Sequence, residues 1–108
     1  MNYKILTIPN FDKQLKKILK KYPSFKTDFL VFISSLQENP TQGTRIGNNC
    51  FKIRVAITAK GKGKSGGARI VSHFIINEEN IYLITIYDKS DQSTITDNEL
   101  KLLLSDLA

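Results

Sequence analysis

The sequence predicts an α+β fold: a small antiparallel β-sheet with an N-terminal helical hairpin packed on one face and a short C-terminal helix. Three observations predict it. The apolar period is close to 3.6 residues through the first third of the chain and changes to 2 from Arg45 onward. Pro and Gly fall between the periodic segments rather than inside them. The run Thr96-Asp97-Asn98-Glu99 has the form of a capping box and opens a leucine-striped end.

Each element follows in order. Residues 3–8 are β-formers ended by Pro9, so they read as a strand, and Asn10 is placed to cap a following helix. Phe11, Leu15, Ile18, Leu19 and Tyr22 recur on one helical face. Lys13, Lys16, Lys17, Lys20 and Lys21 lie largely off that stripe. Their plain reading is a solvated face; the functional alternative is a second basic surface for RNA or an acidic partner. Pro23 ends this helix and can start the next. Phe25, Phe29, Phe32, Ile33 and Leu36 keep helical spacing. With Leu30 and Val31 the second helix is apolar around much of its circumference, which predicts packing on both the first helix and the sheet. The short Pro-containing link between the helices makes an antiparallel hairpin.

In the second half, Phe51, Ile53, Val55 and Ile57 alternate with Lys52, Arg54, Ala56 and Thr58. A strand sends these sets to opposite faces, so the apolar set meets the helices while Lys52 and Arg54 point away together. Residues 60–67 are too rich in Gly and Lys for regular structure and read as a hairpin loop. In the next strand, 69–76, Arg69 and His73 share the face opposite Ile70 and Phe74. Residues 81–87 are apolar on both faces, the pattern of a central strand, and Tyr87 shares parity with Lys89. The last helix carries Leu100, Leu103, Leu104 and Leu107 as its stripe. Residues 1–108 show no linker or repeat and read as a single domain.

Charge points to a partner. The chain has 16 basic and 10 acidic residues. Residues 39–77 contain no Asp or Glu but hold Arg45, Lys52, Arg54, Lys60, Lys62, Lys64 and Arg69. Outside this window nine basic residues face all ten acidic ones, so the net charge of +6 is local. An excess confined to one segment points to a polyanion. No apolar run approaches the ~20 residues of a membrane span, and the N-terminus opens on a strand pattern rather than a signal peptide. A cytoplasmic protein with no membrane contact is expected. Cys50 is the lone cysteine, consistent with a reducing compartment, and reads as a strand-edge residue rather than a nucleophile. One Cys and one His are too few for a Cys/His zinc site, and no cofactor is called for.

Gly63-Lys64-Ser65 invites a phosphate-binding P-loop, but Thr58 stands where that motif needs Gly and a β pattern follows where it needs a helix. Asp88 and Asp91 flank the Lys89 turn and read as turn and ion-pair residues. His73 is either a hydrogen-bonded strand residue or a participant near the basic face. There remains a cationic set with one aromatic: Lys52, Arg54, Lys60, Lys62, Lys64, Arg69, Tyr87 and Lys89. RNA cleavage without a metal must deprotonate a 2′-hydroxyl, stabilise a phosphorane and protonate the 5′-oxygen. A lysine crowded by cations gives up its proton more readily. An arginine holds two phosphate oxygens, and a tyrosine can stack on a base. Residue chemistry alone reaches an RNA-facing basic surface.

Lys52-Ile53-Arg54, the run from Gly61 to Arg69 (GKGKSGGAR) and Ile86-Tyr87-Asp88-Lys89-Ser90 resemble the RelE/ParE superfamily of bacterial toxins, in particular its HigB-like branch. The resemblance covers essentially the whole chain. It implies the toxin of a type II toxin–antitoxin system that cuts mRNA in the ribosomal A site, and a cognate antitoxin with a helix-turn-helix domain. It also implies site residues. Lys62 and Lys64 match loop lysines, one of them the general base, and Arg69 matches the phosphate-binding Arg of the third strand. Lys89 matches a catalytic cation at the end of the fourth, with Tyr87 two residues before it. Lys52, Arg54, Lys60 and His73 are then RNA-binding. The chain departs from RelE in having no Tyr after Lys89. The alternative is a non-enzymatic member, either a ParE-type DNA gyrase inhibitor or a degenerate protein that only binds RNA or its antitoxin.

Overall fold

The computed structural model describes residues 3–92 and 94–107. Strand β1 (Lys4–Thr7) leads into helices α1 (Pro9–Lys21) and α2 (Phe25–Glu38). Strands β2 (Thr44–Gly47), β3 (Cys50–Val55), β4 (Ala68–Phe74) and β5 (Asn80–Asp88) follow, then α3 (Asp97–Leu104). The sheet runs β1-β5-β4-β3-β2. Four strands are antiparallel neighbours, and β1 adds to β5 in parallel.

The helical hairpin meets one face of the sheet. Phe11, Phe25, Phe32 and Leu36 are buried with Phe51, Ile53, Ile70, Leu83 and Ile86. The Phe29 ring centroid lies 6.0, 6.3 and 6.1 Å from those of Phe11, Phe25 and Phe32, within the range of favourable tilted pairs. As expected, α2 packs on both α1, with Phe29 against Phe11, and the sheet, but Leu30 and Val31 stay 56% and 65% exposed. The stripe that α2 turns toward α1 and the sheet does not reach round to these two side chains.

Asn10 does not cap α1; Ile8 holds the N-cap position and Pro9 begins the helix. Asn10 is used elsewhere. Because β1 covers only residues 80–83 of β5, the edge beyond them lacks a strand partner. Asn10 Nδ2 donates to Ile84 O at 3.2 Å, and Gln14 Oε1 accepts from Ile86 N at 3.0 Å and Thr85 Oγ1 at 2.6 Å. Two helix side chains thus satisfy an edge that would otherwise template further strands.

One irregularity aims the site. Val71 pairs with Thr85 but Ser72 pairs with Leu83, so β5 carries an extra residue, a β-bulge. Directly opposed residues share a face. Arg54, Arg69 and Tyr87 therefore form one row across three strands, away from the helical hairpin, while Val55, Ala68 and Asp88 form the row on the helix side. The expected capping box is present: Thr96 Oγ1 accepts from Glu99 N at 3.1 Å, and the Glu99 carboxylate accepts from Thr96 N. The C-terminal segment then lies beside Thr85, where Ile95, Glu99, Leu102 and Leu103 line a shared hollow. No helix among the described residues is long and apolar enough to cross a membrane.

Candidate nucleic-acid interface

The hairpin between β2 and β3 turns on Asn48 and Asn49, both at positive φ (53° and 58°), the geometry of a type I′ turn. It brings Gln42, Gly43 and Thr44 alongside the charged face of β3. Gly43 has φ of 96°, and a Cβ there would stand 2.5 Å from Lys52 O, so only glycine lets the chain pass this close. At the other end Gly67 lies so near Val55 O that a Cβ would meet it at 2.2 Å. Gly67 O accepts from Lys89 N at 3.1 Å, which ties the loop to the end of β5.

Between these approaches lies a cleft of about 410 Å³. Lys52 and Arg54 enter it from β3, Arg69 from β4, Lys64 from the loop and Lys89 from just after β5. No acidic residue lines it. The one ion pair among the described residues is Lys60–Asp88, which lies outside the cleft. Five cations thus converge on one concavity with no counter-charge, a field that draws in an anion.

Arg69 is the organised member. It is 4% exposed, and its guanidinium donates from Nη1 to Lys64 O (2.9 Å) and Ala68 O (3.2 Å), and from Nη2 to Ser65 O (3.2 Å). Of the five donors of a guanidinium, the Nε–H and one Nη2–H have no partner among the described residues. Arg69 therefore holds the loop that carries Lys64 while keeping two donors on adjacent nitrogens.

The remaining sequence candidates are placed differently. Lys60 is buried on the helix side: its Nζ donates to Asp88 Oδ1 at 2.7 Å and to Ser90 Oγ at 2.6 Å. Burial pushes the Asp88 carboxyl up. Hydrogen bonds from Lys60 and from the Ser90 amide, with the Lys60 charge, outweigh burial and hold it below its ordinary value. Lys60 is thus a latch between the loop and the end of β5 rather than a surface contact. Lys62 is exposed but does not line the cleft; its stem lies along Gly66. Tyr87 shares the row of Arg69 yet is only 5% exposed, and its hydroxyl is buried without a partner among the described residues. Burial raises its pKa, partly offset by Thr94 and the Arg69 charge. His73 sits four residues along β4 from Arg69, ~13 Å at the strand rise. It packs there with Nδ1 3.5 Å from the buried Cys50 thiol. Burial pushes that thiol up to about 11, so it stays protonated and unreactive. No group of three or more His, Cys, Asp or Glu side chains able to hold a metal occurs among the described residues.

Sequence reasoning missed Gln42, Gly43 and Thr44, which form one wall of the cleft. The Asn48-Asn49 pair was the available signal, since two such residues before a strand mark a tight hairpin and hence a preceding strand.

Comparison with known proteins agrees with this architecture. Residues 11–107 match the sequence profile of the family described as "RelE toxin of RelE / RelB toxin-antitoxin system". Among solved structures, the fold is similar to that of a mutant of the E. coli toxin RelE in the free state. The TM-score is 0.61 at 14% identity, with 100% of each chain covered. That likeness is one of fold.

Proposed function

Because the chain belongs to the RelE toxin family, we propose that it is the toxin of a type II toxin–antitoxin pair that acts as a ribosome-dependent mRNA endoribonuclease. The observation that carries the reading is the convergence of Lys52, Arg54, Lys64, Arg69 and Lys89 on one cleft without a carboxylate. A scissile phosphate in the ribosomal A site is the anion that fits. The partners of this reading are that mRNA and a cognate antitoxin with a helix-turn-helix domain, and its place is the cytoplasm.

Roles follow from position. Arg69 presents its two free donors to the non-bridging phosphate oxygens, with Arg54 beside it in the same cross-strand row. Lys64, exposed on the loop that Arg69 holds, takes the proton of the 2′-hydroxyl. The 2′-oxygen then attacks phosphorus and the bond to the 5′-oxygen breaks. Lys89, exposed at the opposite lip, stabilises the gathering charge and delivers a proton to the leaving 5′-oxygen. Lys52 holds the neighbouring phosphate. The products are a 2′,3′-cyclic phosphate and a 5′-hydroxyl. Neither Tyr87 nor His73 is needed for this scheme.

Wild type and Lys64→Ala are compared by induction in a bacterial host and by cleavage on programmed ribosomes. The expected result is growth arrest and cut mRNA with wild type, and a rate lower by about 10²-fold with Lys64→Ala, the usual worth of a general base. Cleavage leaving a 3′-hydroxyl, or growth arrest with intact mRNA and inhibited gyrase supercoiling, would overturn the reading.

A further inference from the structure

The cationic cleft does not end at Arg54 and Lys64. Those two residues and Gln42 also line a second groove of about 390 Å³, between α2 and the end of β3. Its character changes: the walls are Val31, Phe32, Val55 and Ala56, with Ser35 at the rim. Val31 is one of the two large apolar α2 side chains that the core leaves exposed. An apolar groove that opens from a cationic cleft matches the alternation of a single RNA strand, charged backbone beside flat apolar base.

The polar rim is directional. Gln42 Nε2 donates to Asn39 O and to Ser35 Oγ, both at 3.2 Å. A carbonyl can only accept, so the amide orientation is set by Asn39. Ser35 Oγ in turn donates to Phe32 O at 2.9 Å. The donors of Gln42 and Ser35 are therefore engaged, while Gln42 Oε1 accepts no hydrogen bond from the described residues. Asp28, at the far end, also offers only acceptors, which take Thr58 N and Oγ1. A base that meets Gln42 Oε1 must bring a donor to it, while Arg54 and Lys64, which also line the groove, are left for phosphate. Adenine, cytosine and guanine carry an exocyclic amino group, whereas the edge of uracil is two carbonyls around one imino N–H.

We propose that this groove is a nucleobase subsite. It takes the base flanking the scissile phosphate, with Arg54 and Lys64 on the intervening phosphate, and favours a base with an exocyclic amino group through Gln42 Oε1. The proposal rests on the RNA-cleavage reading for its substrate class. It adds a specificity-determining residue, Gln42, and an apolar floor at Val31 that cation counting does not reveal.

The test has two arms. In the first, wild type, Gln42→Leu and Val31→Glu cut RNAs on programmed ribosomes that differ only in the nucleotide beside the scissile bond. Wild type is expected to prefer amino-bearing bases over uracil by up to about tenfold, and Gln42→Leu to lose that ratio, since one hydrogen bond is worth at most roughly this factor. Reading a ratio removes any general loss of activity. Val31→Glu, at an exposed position that folding tolerates, is expected to raise KM by about tenfold with kcat retained. In the second arm, a short oligoribonucleotide with a 2′-deoxy scissile position is titrated into the protein. The methyl resonances of Val31, Val55 and Ala56 should shift. Silent methyls, or an unchanged base preference in Gln42→Leu, would overturn the subsite. So would a Val31→Glu protein that cuts like wild type but escapes neutralisation by the product of the adjoining gene, because the groove would then belong to a protein partner. If wild type cuts no RNA, the function proposed above fails, and the methyl titration alone decides the subsite.

Discussion

At one end of strand β4, Arg69 stands opposite Arg54 and Tyr87 and opens onto a cleft ringed by Lys52, Lys64 and Lys89. At the other end, His73 stands opposite Cys50 and Tyr82 and packs against a thiol with no exposure at all. The two residues share a face and a strand. What separates them is what each borders, since Arg69 is the more buried of the two and His73 is half-buried. The loop leaves an opening around Arg69, while Cys50 is sealed at the far end. Side-chain parity therefore names a face, and the packing over that face decides which part of it meets a ligand.

The largest test of this contrast is Arg69→Ala. It removes the phosphate fork and the two hydrogen bonds that hold the loop, so cleavage on programmed ribosomes should fall by about 10²–10³-fold. Arg69→Lys should recover little, because a single ammonium cannot both hold two loop carbonyls and grip phosphate. Near-wild-type activity in Arg69→Lys would reduce the role of Arg69 to bare charge.

Next in size is the latch behind the cleft. Asp88→Asn leaves Lys60 buried without its counter-charge, which should cost about 3 kcal/mol in urea unfolding. The pH dependence has a definite sign. The folded-state pKa of Asp88 lies below the ordinary value of 3.8, so its contribution is fully present above that value. It is lost as pH falls below about 4. Wild type should therefore lose stability on acidification through this range more steeply than Asp88→Asn. Parallel curves for the two proteins would show that the pair carries no net stabilisation.

The smallest effects belong to the other end of the strand. His73→Ala should change cleavage by less than about twofold, the scale of a residue outside the site. Cys50 should resist thiol reagents at pH 8 until the protein unfolds, since burial keeps it protonated and covered. A tenfold loss of cleavage in His73→Ala would extend the cleft along the whole strand and erase the distinction between its ends.

Much of this was legible in the chain. The change of period at Arg45 separates the helical hairpin from the sheet. Thr96 and Glu99 announce the last helix, and the carboxylate-free window from 39 to 77 marks the charged side. These are local signals, set by backbone geometry and by which residues sit next to which. Other features were not legible for an equally physical reason. Lys60 and Lys64 look alike in sequence, but Lys60 is drawn under the loop by Asp88, 28 residues away, while Lys64 is left in the open. Tyr87 carries a phenol suited to a base and shares a row with Arg69, yet its side chain is covered and its hydroxyl buried. Gln42 gave no sign of chemistry; it joins the site because Gly43 lets the chain brush past Lys52 O.

The sequence by itself determined the order of elements, the face on which the cations emerge and the sign of what they attract, because alternation and charge are properties of neighbours. Only the tertiary structure decided which cations share a cleft, which one is spent on a latch, and where an apolar groove continues the charged one. Those outcomes depend on contacts between residues far apart in the chain, and no local pattern records them.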